Sequence, residues 1–511
     1  MKTDKNRPYP GKSKFHHLLK LFFLVFIAST SYAQTASPDQ TAITLFTQRQ
    51  KQVNRAFNAY FNSNQTVLYR SGEGIFLQKI DSLHKTFLLP LDSLKKSNPG
   101  IKASFFEEQY TDLNYTFNKF ILDYVPVHKR ITGQTVTLSK TAQNRLQKID
   151  INNPGLLAYD AYRKYLNSVL QQSIDEELLK RRKAYQKSDN QRLDAGMLVV
   201  TQLFKNPAVQ NRMMYELLAY HIDNYGVKNI GQELEIFRKK NTGSKLLAKI
   251  DSAYNEGLSD RKEHLTEVYK KVDGYSLDAH IFMPKDSSKQ HPAIVFFHGG
   301  GWSEGKPDWF FYTCQEYAAK GWVAVAIEYR LRDRHGTLPP QAIADGKSAI
   351  RYLRKDAQRL KIDPDHIIAS GNSAGANLAL ALGVIDTLDD KKEDLRISSV
   401  PNSLILNSVA TDFTQGDFWQ QYYTDQKFLE RISPLHQVRK NLPPILMISG
   451  SRDNNVPVQP TIAFAEKMKA MGNDCELHVL EGAGHFLWYD RRFGKQVNDY
   501  RSGFLKRLGY L

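Results

Sequence analysis

The stretch that decides the fold is His366–Ser370, then Gly371-Asn372-Ser373-Ala374-Gly375, then Ala376–Ala381. An apolar run of strand character leads into a serine between small residues, and a helix-forming run follows. A strand that becomes a helix within one residue turns sharply, and only small flanking residues let the backbone do so. Such a turn presents Ser373 Oγ at the carboxyl edge of a sheet, above a helix N-terminus that favours negative charge. The Gly-x-Ser-x-Gly string alone occurs by chance in many chains; its position between strand and helix is what gives it weight.

Working outward, Glu267–Lys271 and Ser276–Phe282 read as strands paired across Asp273-Gly274. Buried-strand runs follow at Ala293–Phe297, Val323–Ile327, Ser403–Asn407, Ile445–Ile448 and Glu476–Leu480. Helical runs lie between or after them at Pro340–Leu360, Ala374–Gly383, Thr461–Met471 and Val497–Leu508. Strands alternating with helices predict an α/β domain over residues 261–511, with a mainly parallel eight-stranded sheet flanked by helices.

The chemistry gathers at strand ends. His298-Gly299-Gly300-Gly301 follows the run Ala293–Phe297. Glycines there let the backbone approach a substrate oxygen, so the N–H groups of Gly299 and Gly300, with that of Ala374, are the candidate oxyanion hole. His298 is expected to orient this loop. Asp453 follows the run Ile445–Ile448, and His485 in Gly482-Ala483-Gly484-His485 follows Glu476–Leu480. The order Ser373, Asp453, His485 suits a nucleophile, an orienting acid and a general base. Asp412, after Ser403–Asn407, is the alternative acid. Trp302 and Trp488 are candidate substrate contacts, among further aromatics (Trp309, Phe310, Phe418, Trp419, Tyr422, Phe486) on loops near the expected mouth.

These motifs, with Glu328-Tyr329-Arg330-Leu331, Ser433-Pro434-Leu435 and Ser451–Pro457, resemble the α/β-hydrolase esterases. The likeness is greatest to the hormone-sensitive-lipase-like and bacterial carbohydrate-esterase groups, and it runs from about residue 275 to 511. The resemblance implies hydrolysis of carboxylic esters through an acyl-enzyme, with neither metal nor organic cofactor. Acetyl or feruloyl groups on carbohydrate are the implied substrates. Two rival readings are a serine peptidase of prolyl-oligopeptidase type and a binding protein with a decayed hydrolase domain.

Residues 34–260 read as an irregular all-helical domain. Asn153-Pro154 and Asn206-Pro207 open helices, and Gly226 closes one. Leu156–Leu170 and Asn206–Gly226 resemble the helical segment preceding thioredoxin-like modules in exported Bacteroidota proteins, which implies a scaffold or a contact with an unidentified partner. Residues 1–33 have the form of a signal peptide. A basic stretch ends at Lys20, the apolar run Leu21–Ala28 follows, and Ser31-Tyr32-Ala33 precedes Gln34. Export to the periplasm or beyond is therefore expected, without stable membrane insertion after cleavage.

The 511 residues carry a net charge of +17, and residues 1–33 account for +5 of it, which leaves +12 (17 less 5). Those charges are dispersed, without an arginine-rich tract, so a solvated surface is expected and no nucleic-acid partner. No Cys/His spacing suits zinc. Cys314 and Cys475 are either a disulfide in an oxidising compartment or two buried thiols.

Overall fold

The computed structural model describes residues 37–185, 188–414, 423 and 425–511. The export signal read at 1–33 lies outside them, as do Phe418, Trp419 and Tyr422. The chain divides into two compact units. One holds the residues up to Arg181 together with Ala195–Leu217; the other holds Arg182–Asp194 and Leu218–Leu511.

The first unit is helical. The helices Pro38–Arg70, Glu73–Ser97 and Ala103–Thr132 share a core rich in phenylalanine, with Phe61 and Phe120 ring centroids 4.8 Å apart. Asn153 opens a 3₁₀ turn, Pro154–Ala158, ahead of the helix Asp160–Lys180. Asn206 Oδ1 caps the helix Pro207–Tyr225 by accepting from Ala208 N–H at 2.9 Å. That helix belongs to the second unit from Leu218 on, where Gly226, at φ 81°, follows its end.

The second unit is built on one eight-stranded sheet: β1 Leu265–Val272, β2 Tyr275–Phe282, β3 His291–Phe297, β4 Val323–Ile327, β5 Ile362–Asn372, β6 Ser403–Asn407, β7 Ile445–Gly450 and β8 Cys475–Leu480. Their order across the sheet is β1-β2-β4-β3-β5-β6-β7-β8. The β1–β2 and β2–β4 pairs are antiparallel and the others parallel. The inner strands are buried on both faces, which is why they read as unbroken apolar runs. The structure adds a helix, Phe311–Ala319, that the sequence reading leaves out.

The domain boundary expected near residue 260 falls inside this second unit, which takes in Leu218–Asp260 as well as the sheet. The reason is burial. Tyr225 belongs to the main core of the sheet, with Tyr220 packed against it. Lys228 reaches Glu328 at 2.8 Å and Asp278 at 3.0 Å.

Cys314 and Cys475 are both free and buried. They belong to different cores of the unit, Cys314 to that of Phe296 and Trp322, Cys475 to that of Val295 and Met447. Burial pushes the Cys475 thiol up to about 12 and raises that of Cys314. Both thiols should therefore resist a disulfide reagent in the native state and react on unfolding, and a reductant should leave Tm unchanged. Thiol titration with and without denaturant, beside melting curves, checks this.

Candidate active site

Adjacent parallel strands set the site. β3 and β5 pair with Phe297 opposite Gly371, so the loop leaving β3 and the turn leaving β5 emerge side by side. Ser373 occupies that turn at φ 55°, ψ −121°, ahead of the helix Ala374–Val384. A residue with a side chain rarely adopts this backbone, and the cost is on the order of 1–3 kcal/mol. The small neighbours are required by space. A Cβ at Gly375 would stand 2.0 Å from Phe297 O, and one at Gly371 would stand 2.5 Å from the Gly375 carbonyl group. Ser373 N–H is held by Asn407 O at 2.9 Å.

The other candidates arrive from β7 and β8. His485 Nε2 lies 3.0 Å from Ser373 Oγ, and His485 Nδ1 lies 2.7 Å from Asp453 Oδ2. An ionised carboxylate only accepts, so Nδ1 carries the proton and Nε2 is left to accept from the serine hydroxyl. Asp453 Oδ1 takes Asn455 N–H at 2.9 Å and Val456 N–H at 2.8 Å, which fixes the carboxylate plane. The two loops are also tied to each other. Arg452 N–H donates to Ala483 O at 2.9 Å, and Gly482 N–H to Ser451 Oγ at 2.9 Å. Ser408 Oγ holds His485 O at 2.9 Å from the end of β6.

Asp412 stands elsewhere. Its Oδ1 accepts from Thr414 N–H at 2.8 Å and Thr414 Oγ1 at 2.7 Å, which is a turn contact. The structure therefore pairs His485 with Asp453.

Gly299 lies against Ser373: a Cβ built there would be 3.0 Å from Asn372 O and 3.5 Å from Ser373 Cβ. Gly300 and Gly301 have φ of 110° and 61°. Among the described residues, neither Gly299 N–H nor Gly300 N–H bonds to another protein group. Ala374 begins its helix, where N–H groups lack intrahelical partners. Gly299 thus lies beside Ser373 and Ala374 directly follows it, while Gly300 is the next residue of the same loop and abuts Glu304.

His298 is buried beneath the loop, its Nδ1 2.8 Å from Gly299 O, and its ring stacks on Tyr329 at 4.3 Å. Tyr329 Oη donates to His298 O at 2.6 Å. Burial brings the imidazole down to about 4, so the ring stays neutral. Glu328 and Arg330 anchor Tyr329 from either side. Burial opposes charge on Glu328, yet Arg334 at 2.6 Å and Lys228 hold its carboxylate below the usual range. Arg330 forks onto Asp345 at 2.8 and 2.9 Å. Nothing in the residues Glu328–Leu331 by themselves assigns them a role; their period-two spacing after β4 is the signal that Tyr329 faces the loop.

The aromatic candidates part company. Trp302, at φ 58°, is only 6% exposed and packs edge-on to Phe413 in the core. Trp488 is half-buried with its ring 5.7 Å from His485, and Phe486 lies 5.0 Å from the same ring. Trp309 packs edge-on to His298, and Phe310 stacks on Phe296. Among the described residues no group of His, Cys, Asp and Glu is arranged to hold a metal ion.

Asp453→Asn should leave the protein folded and lower kcat about 10⁴-fold, because the amide permits the wrong imidazole tautomer. Asp412→Asn should change kcat by less than about twofold, since its carboxylate closes a turn. Steady-state kinetics on an aryl acetate compares the two.

A family model described as BD-FAE matches residues 279–468. Esterase LipC of Mycobacterium tuberculosis is 29% identical over 249 residues, covering 44% of this chain and 57% of LipC. A probable isoprenylcysteine alpha-carbonyl methylesterase of Arabidopsis thaliana is 23% identical over 227 residues, covering 40% of this chain and 47% of its own length. The chain thus spans about half the length of these curated relatives. The solved structure of esterase Est2 from Thermogutta terrifontis is 36% identical, covers 49% of this chain and 94% of its own, and has a TM-score of 0.46. The strand order, the turn at Ser373 and the BD-FAE match together make the sheet-bearing half of this chain an α/β-hydrolase fold.

Proposed function

We propose that this chain is a carboxylic ester hydrolase working through an acyl-enzyme on Ser373. The observation that carries the reading is the unbroken relay from Ser373 Oγ to His485 to Asp453, at 3.0 and 2.7 Å. Ser373 Oγ attacks the ester carbonyl as His485 Nε2 takes its proton, and Asp453 stabilises the imidazolium. Negative charge on the former carbonyl oxygen is met by the N–H groups of Gly299, Gly300 and Ala374. One such donor is typically worth about 2.7–4 kcal/mol of barrier. His485 returns the proton to the departing alkoxide; water then repeats the sequence on the acyl-enzyme and frees Ser373.

The substrate class we propose is acetyl or feruloyl esters of carbohydrate. Phe486 and Trp488 beside His485 support it, since flat apolar rings suit an aryl acyl group or a sugar face. Export supports it too, because such polymers lie outside the cell; the export reading rests on residues 1–33.

Wild-type protein should turn over aryl acetates and feruloylated or acetylated oligosaccharides, and Ser373 should be labelled by a fluorophosphonate. Ser373→Ala should lose activity by a factor on the order of 10⁵–10⁶. Comparable turnover of aminoacyl arylamides would replace esterase with peptidase, and absence of labelling in folded protein would remove the catalytic reading altogether. For export, N-terminal sequencing of the protein recovered from its native compartment should begin at Gln34; a start at Met1 would refute it.

A further inference from the structure

The loop bearing Gly299 and Gly300 folds back on itself, and residues Glu304 and Gly305 form its rear wall. A Cβ on Gly300 would stand 1.9 Å from Glu304 O, and one on Gly305 would stand 2.5 Å from Gly299 O. Ser303 and Glu304 N–H both donate to Gly300 O at 3.1 Å. At such spacing, movement of Glu304 or Gly305 displaces the two glycines directly.

That wall is fastened by the end of the helix Pro207–Tyr225, within the second unit. A helix leaves its last carbonyls without partners. Asn224 O is taken by this loop, accepting from Gly305 N–H at 3.0 Å, and Ile222 O, which also takes Gly226 N–H at 3.2 Å, accepts from Lys306 Nζ at 2.9 Å. The third fastening is a side-chain bond, Tyr220 Oη donating to Glu304 Oε2. Burial raises the Glu304 carboxyl to about 6, with the Tyr220 hydrogen bond acting against that rise. Tyr220 itself packs against the main core of the sheet, so its hydroxyl is delivered from a fixed ring.

We propose that Tyr220 is a positioning residue for the oxyanion hole, holding Glu304 so that the Gly299 and Gly300 amides converge with that of Ala374 on one oxygen. The proposal rests on the esterase reading above. It gives Tyr220, from the helical stretch ahead of the sheet, a part in the reaction that a separable appendage would not have. The helix end acts as a clamp on the loop, and Tyr220–Glu304 is its side-chain contact.

Two variants break the same bond from opposite ends, Tyr220→Phe and Glu304→Met, and Glu304→Gln keeps an acceptor for the hydroxyl. In the full chain, Tyr220→Phe and Glu304→Met should each lower kcat on an aryl acetate about tenfold with KM within twofold, less than the 10²–10³ lost with a whole donor. Fluorophosphonate labelling of Ser373 should slow in step. Glu304→Gln should restore kcat to within about twofold of wild type, and Tyr220→Phe/Glu304→Gln should behave as Tyr220→Phe, because both act through one bond. Because two variants test one contact, either that folds with a native Tm suffices. Unchanged kcat in that variant, or a loss carried by KM, overturns the proposal while the esterase reading stands. A wild-type protein that neither hydrolyses esters nor takes the phosphonate overturns both.

Discussion

The carbonyl of Phe297 lies where any side chain at position 375 would stand, 2.0 Å from a Cβ built there. That approach of the end of β3 to the first turn of the helix Ala374–Val384 governs the rest of the second unit. It brings the glycine loop alongside Ser373, and it goes with the left-handed backbone at Ser373. The strain is sustained because its surroundings are over-determined. β3, most of β5 and the helix Ala374–Val384 are buried, so relaxing the turn would expose or cavitate the core.

Around this turn the site is held by groups that cannot move independently. β7 and β8 carry the Asp453 and His485 loops, which are cross-linked by backbone and hydroxyl bonds before either side chain reaches the other. Behind the glycine loop, buried charges do the same work. Arg330 against Asp345, and Glu328 against Arg334 and Lys228, pin the segment from which Tyr329 supports His298. Buried ion pairs contribute little net stability, but removing one partner is costly, so they fix a geometry well.

Much of this was legible in the chain. The inner strands appear as apolar runs, because strands buried on both faces need no polar alternation, and β1 and β2 as the pair around Asp273-Gly274; Glu476–Leu480, expected as a buried run, is instead the half-exposed edge strand β8, whose outer side has no neighbouring strand. Ser373, His485 and the Gly299/Gly300 loop stand out because sharp turns and close approaches demand glycine or small residues at fixed offsets. The aromatic readings were weaker. Trp302 and Trp488 look alike on sequence, yet one closes a core and the other stands beside His485, a difference of surroundings that residue type does not carry.

What the sequence by itself determined is therefore local: strand and helix periods, the turn chemistry of Gly371–Gly375, and the order of candidate residues along the chain. The tertiary structure decided every pairing across long separations. Asp453 rather than Asp412 reaches His485, because the loops after β7 and β8 are joined while Asp412 closes its own turn. Cys314 and Cys475 stay apart because they are packed into different cores. Leu218–Asp260, helical in period, joins the sheet because Tyr225 is buried in its core and Lys228 pairs with Glu328. Tyr220 and Glu304 meet across 84 residues. Periodicity repeats over a few residues and records which face is apolar; which distant face covers it is set only when the sheet has formed and the chain has closed over it.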